Sequence, residues 1–197
     1  MIIFLLIVLF YVLIVPFLEK FQRTRDFQHK KKLVDRYIRP FVDKEDLILD
    51  VGSGSGSISK LLNAEPLDVV DLHEVGAPPG LFDGENVPYA DDTFDAVLCI
   101  SVLHHTENQK KLLEELKRVS KNKIIIFEDV PDSIVDKILC RIHSLSAYGR
   151  CSKCFHTTNE WRRIFHEHGL RVEHIVNVPR SYSLLYPVKR KMFILNK

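Results

Sequence analysis

The sequence is short of the features that build a disulfide-stapled or nucleic-acid-binding module. It has only four cysteines, Cys99, Cys140, Cys151 and Cys154. Cys99 lies in an apolar run and reads as a packing residue, and the other three make no even disulfide framework. A chain of 197 residues can bury a core without covalent staples, so a reducing compartment is expected. Net charge is nearly absent, at +2. No internal repeat, low-complexity tract or RNA- or DNA-reading motif occurs. The charge is also unevenly spread. Residues 1–39 hold eight Lys/Arg against three acids, residues 40–134 eight against nineteen, and residues 135–197 twelve against four. An acidic centre argues against a polyanion groove, so no nucleic-acid partner is expected. The basic ends suit an anionic membrane surface, or are solvated faces.

The N-terminus does have a long apolar run. Ile2 to Leu18 is interrupted only by Pro16. Such a helix spans roughly 26 Å at ~1.5 Å per residue, about the thickness of a thin hydrocarbon layer. No Lys or Arg precedes the run, and Pro16-Phe17-Leu18-Glu19 offers no small-residue cleavage site. An uncleaved single-pass transmembrane anchor over residues 1–19 is the expectation, with a signal peptide or a buried core helix as alternatives. Lys20, Arg23, Arg25, Lys30, Lys31 and Lys32 all follow the run, which predicts a folded domain facing the cytoplasm. Residues 20–39 read as a basic juxtamembrane or lid helix with an imperfect stripe of Phe21, Phe27, Leu33, Val34, Tyr37 and Ile38.

Residues 40–197 read as one α/β domain. Strands are expected at Leu47–Val51, Leu67–Leu72, Leu81–Phe82, Phe94–Ile100, Lys123–Phe127, Arg171–Val178 and Lys189–Leu195. Helices are expected from Ile58, at Asn108–Ser120, over 132–147 and at Asn159–His168, the last stopped by Gly169. This alternation predicts a doubly wound, mainly parallel sheet.

The chemically informative stretch is Asp50-Val51-Gly52-Ser53-Gly54-Ser55-Gly56, where a strand ends and a helix begins. Glycines there allow a sharp turn and let a ligand approach bare backbone. Asp71 follows 21 residues after Asp50, where a carboxylate can accept both hydroxyls of a ribose. A dinucleotide fingerprint needs a glycine at position 57, which is Ser57. That argues against a nicotinamide-dependent oxidoreductase.

Together these features make the chain resemble the class I S-adenosylmethionine-dependent methyltransferases, in particular the type 11, ubiquinone-biosynthesis-like group. The resemblance spans roughly residues 33–178. It implies a seven-stranded-type Rossmann-like sheet, with Asp50, Gly52, Ser53, Gly54 and Gly56 around the methionine part of the cofactor. It makes Asp71 the ribose acid, with Glu74 three residues on as the alternative. Phe82-Asp83-Gly84-Glu85 resembles the third-strand motif, in which Asp83 would bond the adenine amine beside Gly84. Phe94-Asp95-Ala96-Val97 with Ser101-Val102-Leu103-His104-His105 resembles the fourth-strand motif, which brings Ser101 to the cofactor. Thr158–Phe165 with His168-Gly169-Leu170 resembles the late helix. One departure stands out. Only eleven residues, Pro78-Pro79 among them, separate Asp71 from Asp83, so a loop is expected in place of a helix.

Methyl transfer asks little of the protein beyond alignment, because the donor is already activated. His104 and His105 follow the fourth strand and are the candidates for any proton transfer; otherwise they shape the pocket. Tyr148, His143 and His156 are weaker candidates near the acceptor. Cys140-x-x-His143 and Cys151-x-x-Cys154 read as ordinary thiols ahead of a zinc site or a redox pair, and no metal is expected. The implied reaction moves a methyl group to a small, membrane-associated or lipophilic acceptor. A catalytically silent, membrane-tethered cofactor-binding scaffold is the alternative.

Overall fold

The computed structural model describes residues 27–69, 81–106, 108–144, 154–178 and 188–197. The apolar run at 2–18, Asp71, the Pro78-Pro79 loop, Tyr148 and Cys151 lie outside the described residues, as does the side chain of His143. Among the described residues no helix is long and apolar enough to cross a membrane. The chain separates into two compact units at Phe41. In the first, residues 27–41 are helical and pass through a π turn at Val34–Ile38 into a 3-10 turn at Arg39–Phe41. Leu33, Val34 and Ile38 of the expected stripe are buried, whereas Phe27 is 40% exposed.

In the second unit, seven strands assemble into one sheet. They are β1 (Ile48–Val51), β2 (Glu65–Val69), β3 (Leu81–Phe82), β4 (Phe94–Ile100), β5 (Ser120–Asp129), β6 (Arg171–Val178) and β7 (Arg190–Asn196). Their order is β3-β2-β1-β4-β5-β7-β6. The first five pair in parallel, and β7 runs antiparallel between β5 and β6. All four residues of β1 are buried, as a strand covered on both faces requires. The order reverses direction between β1 and β4, so their carboxyl ends bound the crevice where ligands bind in open α/β sheets.

β1 and β7 differ from the expected bounds by at most one residue at each end, and two strands differ by more. β5 starts at Ser120, which is already extended as it leaves the preceding helix and pairs with Phe94 across a bulge. β2 starts at Glu65 and includes Pro66. Proline is tolerated because β3 pairs only with Asp68 and Val69, leaving β2 as the sheet edge at Pro66.

The helices are α1 (Ser57–Leu62), α2 (Gln109–Val119), α3 (Ile134–Ser144) and α4 (Thr158–Glu167). The Asn108 side chain caps α2, whose Leu112, Leu113, Leu116 and Val119 are buried. A capping box between Thr157 and Glu160 starts α4. Trp161 and Phe165 stack in the core with centroids 5.3 Å apart, and Phe165 meets Phe193 of β7 edge-on.

The segment between β3 and β4 is tied to α2 by Arg118. Its Nη1 donates to the Tyr89 carbonyl at 2.7 Å and its Nη2 to the Val87 carbonyl at 2.9 Å. Glu115 Oε2 accepts from the Val87 amide at 2.9 Å. Arg118→Met is expected to cost about 1–3 kcal/mol, the scale of charged hydrogen bonds lost from a half-buried site. A urea midpoint that does not move would show that this segment is held by something else.

Candidate functional site

The apolar residues of β1 carry the chain to the crevice and end at a loop whose backbone favours glycine. Gly52, Gly54 and Gly56 have φ of 73°, 51° and 65°. In this left-handed region a Cβ collides with the following carbonyl oxygen. The loop is clamped to β2, because the Gly52 and Ser53 amides both donate to the Leu67 carbonyl, at 2.7 and 3.1 Å. Asp50 is buried at the base and accepts the Ser59 hydroxyl of α1 at 2.6 Å. The glycines differ in their surroundings. A Cβ on Gly52 would stand 2.2 Å from Val102 Cγ2, whereas one on Gly54 would meet nothing within 4 Å. Ser53 Oγ is buried with no hydrogen-bond partner. An open space over bare backbone and an orphaned hydroxyl fit the polar methionine end of an adenosylmethionine.

At the end of β3, Asp83 is exposed and organises its own turn. Its Oδ1 accepts the Glu85 and Asn86 amides at 2.8 and 2.6 Å, and Oδ2 accepts Asn86 Nδ2 at 2.7 Å. The Asn86 side chain, followed by these backbone amides, holds its pKa down to about 2. It is therefore a carboxylate with acceptor capacity left on Oδ2, which suits an amine donor. Gly84 beside it is buried with φ of 85°.

After β4 the chain turns through Ser101, itself left-handed at φ 57°, into a 3-10 turn at Leu103–His105. Glu128 of β5 organises this turn. Its Oε1 accepts the Val102 and Leu103 amides at 3.1 and 2.8 Å, and its Oε2 accepts His104 Nδ1 at 2.5 Å. Glu128 is 1% exposed and His104 3%. Burial alone would lower the His104 pKa, but the Glu128 charge and hydrogen bond, with help from Asp129, outweigh it and raise the value. His105 is half-buried, its ring 4.1 Å from that of His104. Beside this pair, Arg190 of β7 donates from Nη2 to Ser101 Oγ at 2.8 Å and contacts Asp129 through Nε at 3.2 Å.

A second network joins this turn to the segment before α4. Gln109 Nε2 donates to the Leu103 and Cys154 carbonyls at 2.9 and 2.8 Å. Its Oε1 must therefore be the acceptor of the 2.8 Å contact with His156 Nε2, which assigns the proton to that nitrogen. Burial pushes the His156 pKa down, so the ring is neutral. Phe155 stacks on His104 at 4.8 Å. Cys99 and Cys140 are buried, but Cys154 is disulfide-bonded and so is not the ordinary thiol expected of it. Among the described residues no cluster of potential metal ligands occurs.

Most of the expected site residues thus meet at one sheet edge. The glycine loop touches Val102, and Val102 is bonded to Glu128, which also holds His104. Asp83 stands at the neighbouring end of β3. Glu128, Asp129, Arg190 and Gln109 are additions. Two acids closing the apolar run Ile124–Phe127 were the visible sign of the first two.

Comparison with known proteins places this geometry. The profile of the methyltransferase-domain family matches residues 21–175. An uncharacterized protein of Methanocaldococcus jannaschii is 34% identical over 111 residues, covering 50% of this chain and 48% of that protein. The chain thus spans about half the length of the curated relatives it matches. A Thermotoga maritima protein described as an S-adenosylmethionine-dependent methyltransferase, possibly acting on histamine nitrogen, superposes with a TM-score of 0.67 at 16% identity, covering 92% of this chain and 97% of that one. Magnesium protoporphyrin IX methyltransferase from Synechocystis, with bound S-adenosylhomocysteine, gives 0.63 at 17% identity, covering 92% and 87%. At such identities the two structures establish the fold.

Proposed function

The chain belongs to the methyltransferase-domain family, and from that membership we propose that it moves a methyl group from S-adenosylmethionine to a small, lipophilic or membrane-associated acceptor. The observation that carries this reading is the open space over Gly54 beside the orphaned Ser53 hydroxyl, at the carboxyl edge of β1 and β4. S-adenosylmethionine supplies a methyl group already activated on a sulfonium. The protein has to bind, orient and exclude water. Asp50, Gly52, Ser53, Gly54 and Gly56 cradle the methionine end, Asp71 takes the ribose, Asp83 with Gly84 takes the adenine amine, and Ser101 closes the site from β4. His104 is too buried, and too firmly held through Nδ1, to reach an acceptor. It positions the turn instead, and His105 receives a proton where the acceptor has one to lose.

The lipophilic acceptor rests on the N-terminal run, which we read as a single-pass anchor with the catalytic unit on the cytoplasmic side. Six Lys and Arg directly after an uncharged stretch support it. Membrane extracts incubated with protein and isotope-labelled S-adenosylmethionine should yield a labelled lipophilic product by mass spectrometry. Label found only in water-soluble products would remove the lipid part of the reading.

Gly54→Val tests the cofactor site. Its Cβ enters open space, and the left-handed φ of 51° is the main strain opposing it. The expected outcome in calorimetry is a folded protein with no measurable heat of S-adenosylmethionine binding. Retained affinity would remove Gly54 from the site.

A further inference from the structure

α3 turns its apolar side outward. Ile134, Val135 and Ile138 are 78%, 64% and 56% exposed, while Asp136 and Cys140 on the same helix are each 2% exposed. This rotation is fixed by polar contacts. Ser133 Oγ donates to Asp136 Oδ2 at 2.6 Å, the Asp136 amide donates back to Ser133 Oγ at 3.1 Å, and Lys189 Nζ of the segment entering β7 lies 4.0 Å from the same carboxylate. Just before the helix, Asp132 binds the Thr158 amide and hydroxyl at the start of α4, at 2.8 and 2.7 Å. α3 is thus locked with a hydrophobic sector facing water. It stands directly after β5, whose last residues Glu128 and Asp129 belong to the site.

We propose that this face of α3 is a membrane-contact surface that seats the mouth of the site against an anionic lipid bilayer. At about 100° per residue, Ile134, Val135 and Ile138 share one sector of roughly 100°. The exposed Lys137 and Arg141 lie along one flank of it. An apolar sector edged by cations matches an interface whose acyl region begins beneath anionic headgroups. A second copy of the chain fits less well. Three aliphatic side chains expose roughly 300 Å², against about 800 Å² per partner in a stable complex. The inference rests on the anchor reading above, because a sector this small holds a bilayer only when another segment already keeps the protein there.

The test uses the full chain in vesicles of phosphatidylcholine, with or without phosphatidylglycerol, some carrying doxyl-labelled lipid. Ile138→Cys bears a nitrobenzoxadiazole probe, and labelling of the unsubstituted protein gives the background. Glu114→Cys on the exposed side of α2 is the control. The expected result is at least twofold quenching of the Ile138 probe by doxyl lipid, stronger with phosphatidylglycerol, and none of the control. Lys137→Glu with Arg141→Glu should remove the phosphatidylglycerol dependence. Flotation with the vesicles but an unquenched Ile138 probe overturns this surface and leaves the anchor standing. Failure to float overturns both. A probe shielded only as protein concentration rises, with no quenching by lipid, overturns the proposal in favour of a second copy.

Discussion

Replacing Glu128 with Ala is expected to destabilise the protein by about 3–5 kcal/mol, the cost of leaving one member of a buried charged pair alone. The side chain satisfies the Val102 and Leu103 amides and His104 Nδ1 together, and all three are buried. Without it, two amides and an imidazole lose their acceptor where water does not reach. Glu128→Gln should behave differently. Its amide oxygen still receives the two backbone N–H groups, while its nitrogen can donate to a His104 that has shed its Nδ1 proton. Most of the stability should survive at pH 8.

The pH dependence separates the two roles of Glu128. In the native protein the His104 pKa is raised above its ordinary value near 6.5. The pair therefore contributes fully below about pH 6.5, and that contribution fades as pH climbs through the raised folded value. In Glu128→Gln, burial is opposed only by Asp129, and the fall in stability with rising pH should vanish. Denaturant midpoints measured from pH 6 to 9 on both proteins decide the matter. Parallel profiles would mean that His104 is neutral throughout and that Glu128 acts only as a backbone acceptor.

The second large effect is expected at Gly52. Gly52→Ala places a methyl 2.2 Å from Val102 Cγ2 on a backbone with φ of 73°. Left-handed strain of about 1–2 kcal/mol adds to an overpacking cost of about 1–3 kcal/mol, so the loss is about 2–5 kcal/mol. Val102→Ala in the same chain removes the collision and leaves the strain. A double-mutant cycle should therefore show a favourable coupling of about 1–2 kcal/mol. Additive losses would mean that the loop moves away from Val102 at little cost. Gly52 and Gly54 thus separate by function: a side chain at the first fails against the protein, and one at the second fails against the ligand.

The sequence pattern made some of this visible and hid the rest for physical reasons. β1, β4 and the middle of β5 were legible because strands buried on both faces are apolar runs, and α2 because Leu112, Leu113, Leu116 and Val119 recur at helical spacing. The glycine loop was legible because three left-handed residues in five leave a compositional trace. The insertion of β7 between β5 and β6 leaves none, since periodicity reports burial and not neighbours. Glu128 was hidden likewise. Its importance comes from contacts 24 to 26 residues away in the chain, and an acid ending a strand looks the same whether it meets water or a buried imidazole. Cys154 read as a plain thiol because spacing alone does not report oxidation.

The placement of β7 also bears on how the protein is made. During translation β6 emerges before β7, yet in space β7 lies between β6 and the rest of the sheet. A nascent chain with β6 exposed has no ladder to join, and β5 keeps an open edge until residues 190–196 have left the ribosomal tunnel. The sheet closes late and from its far side.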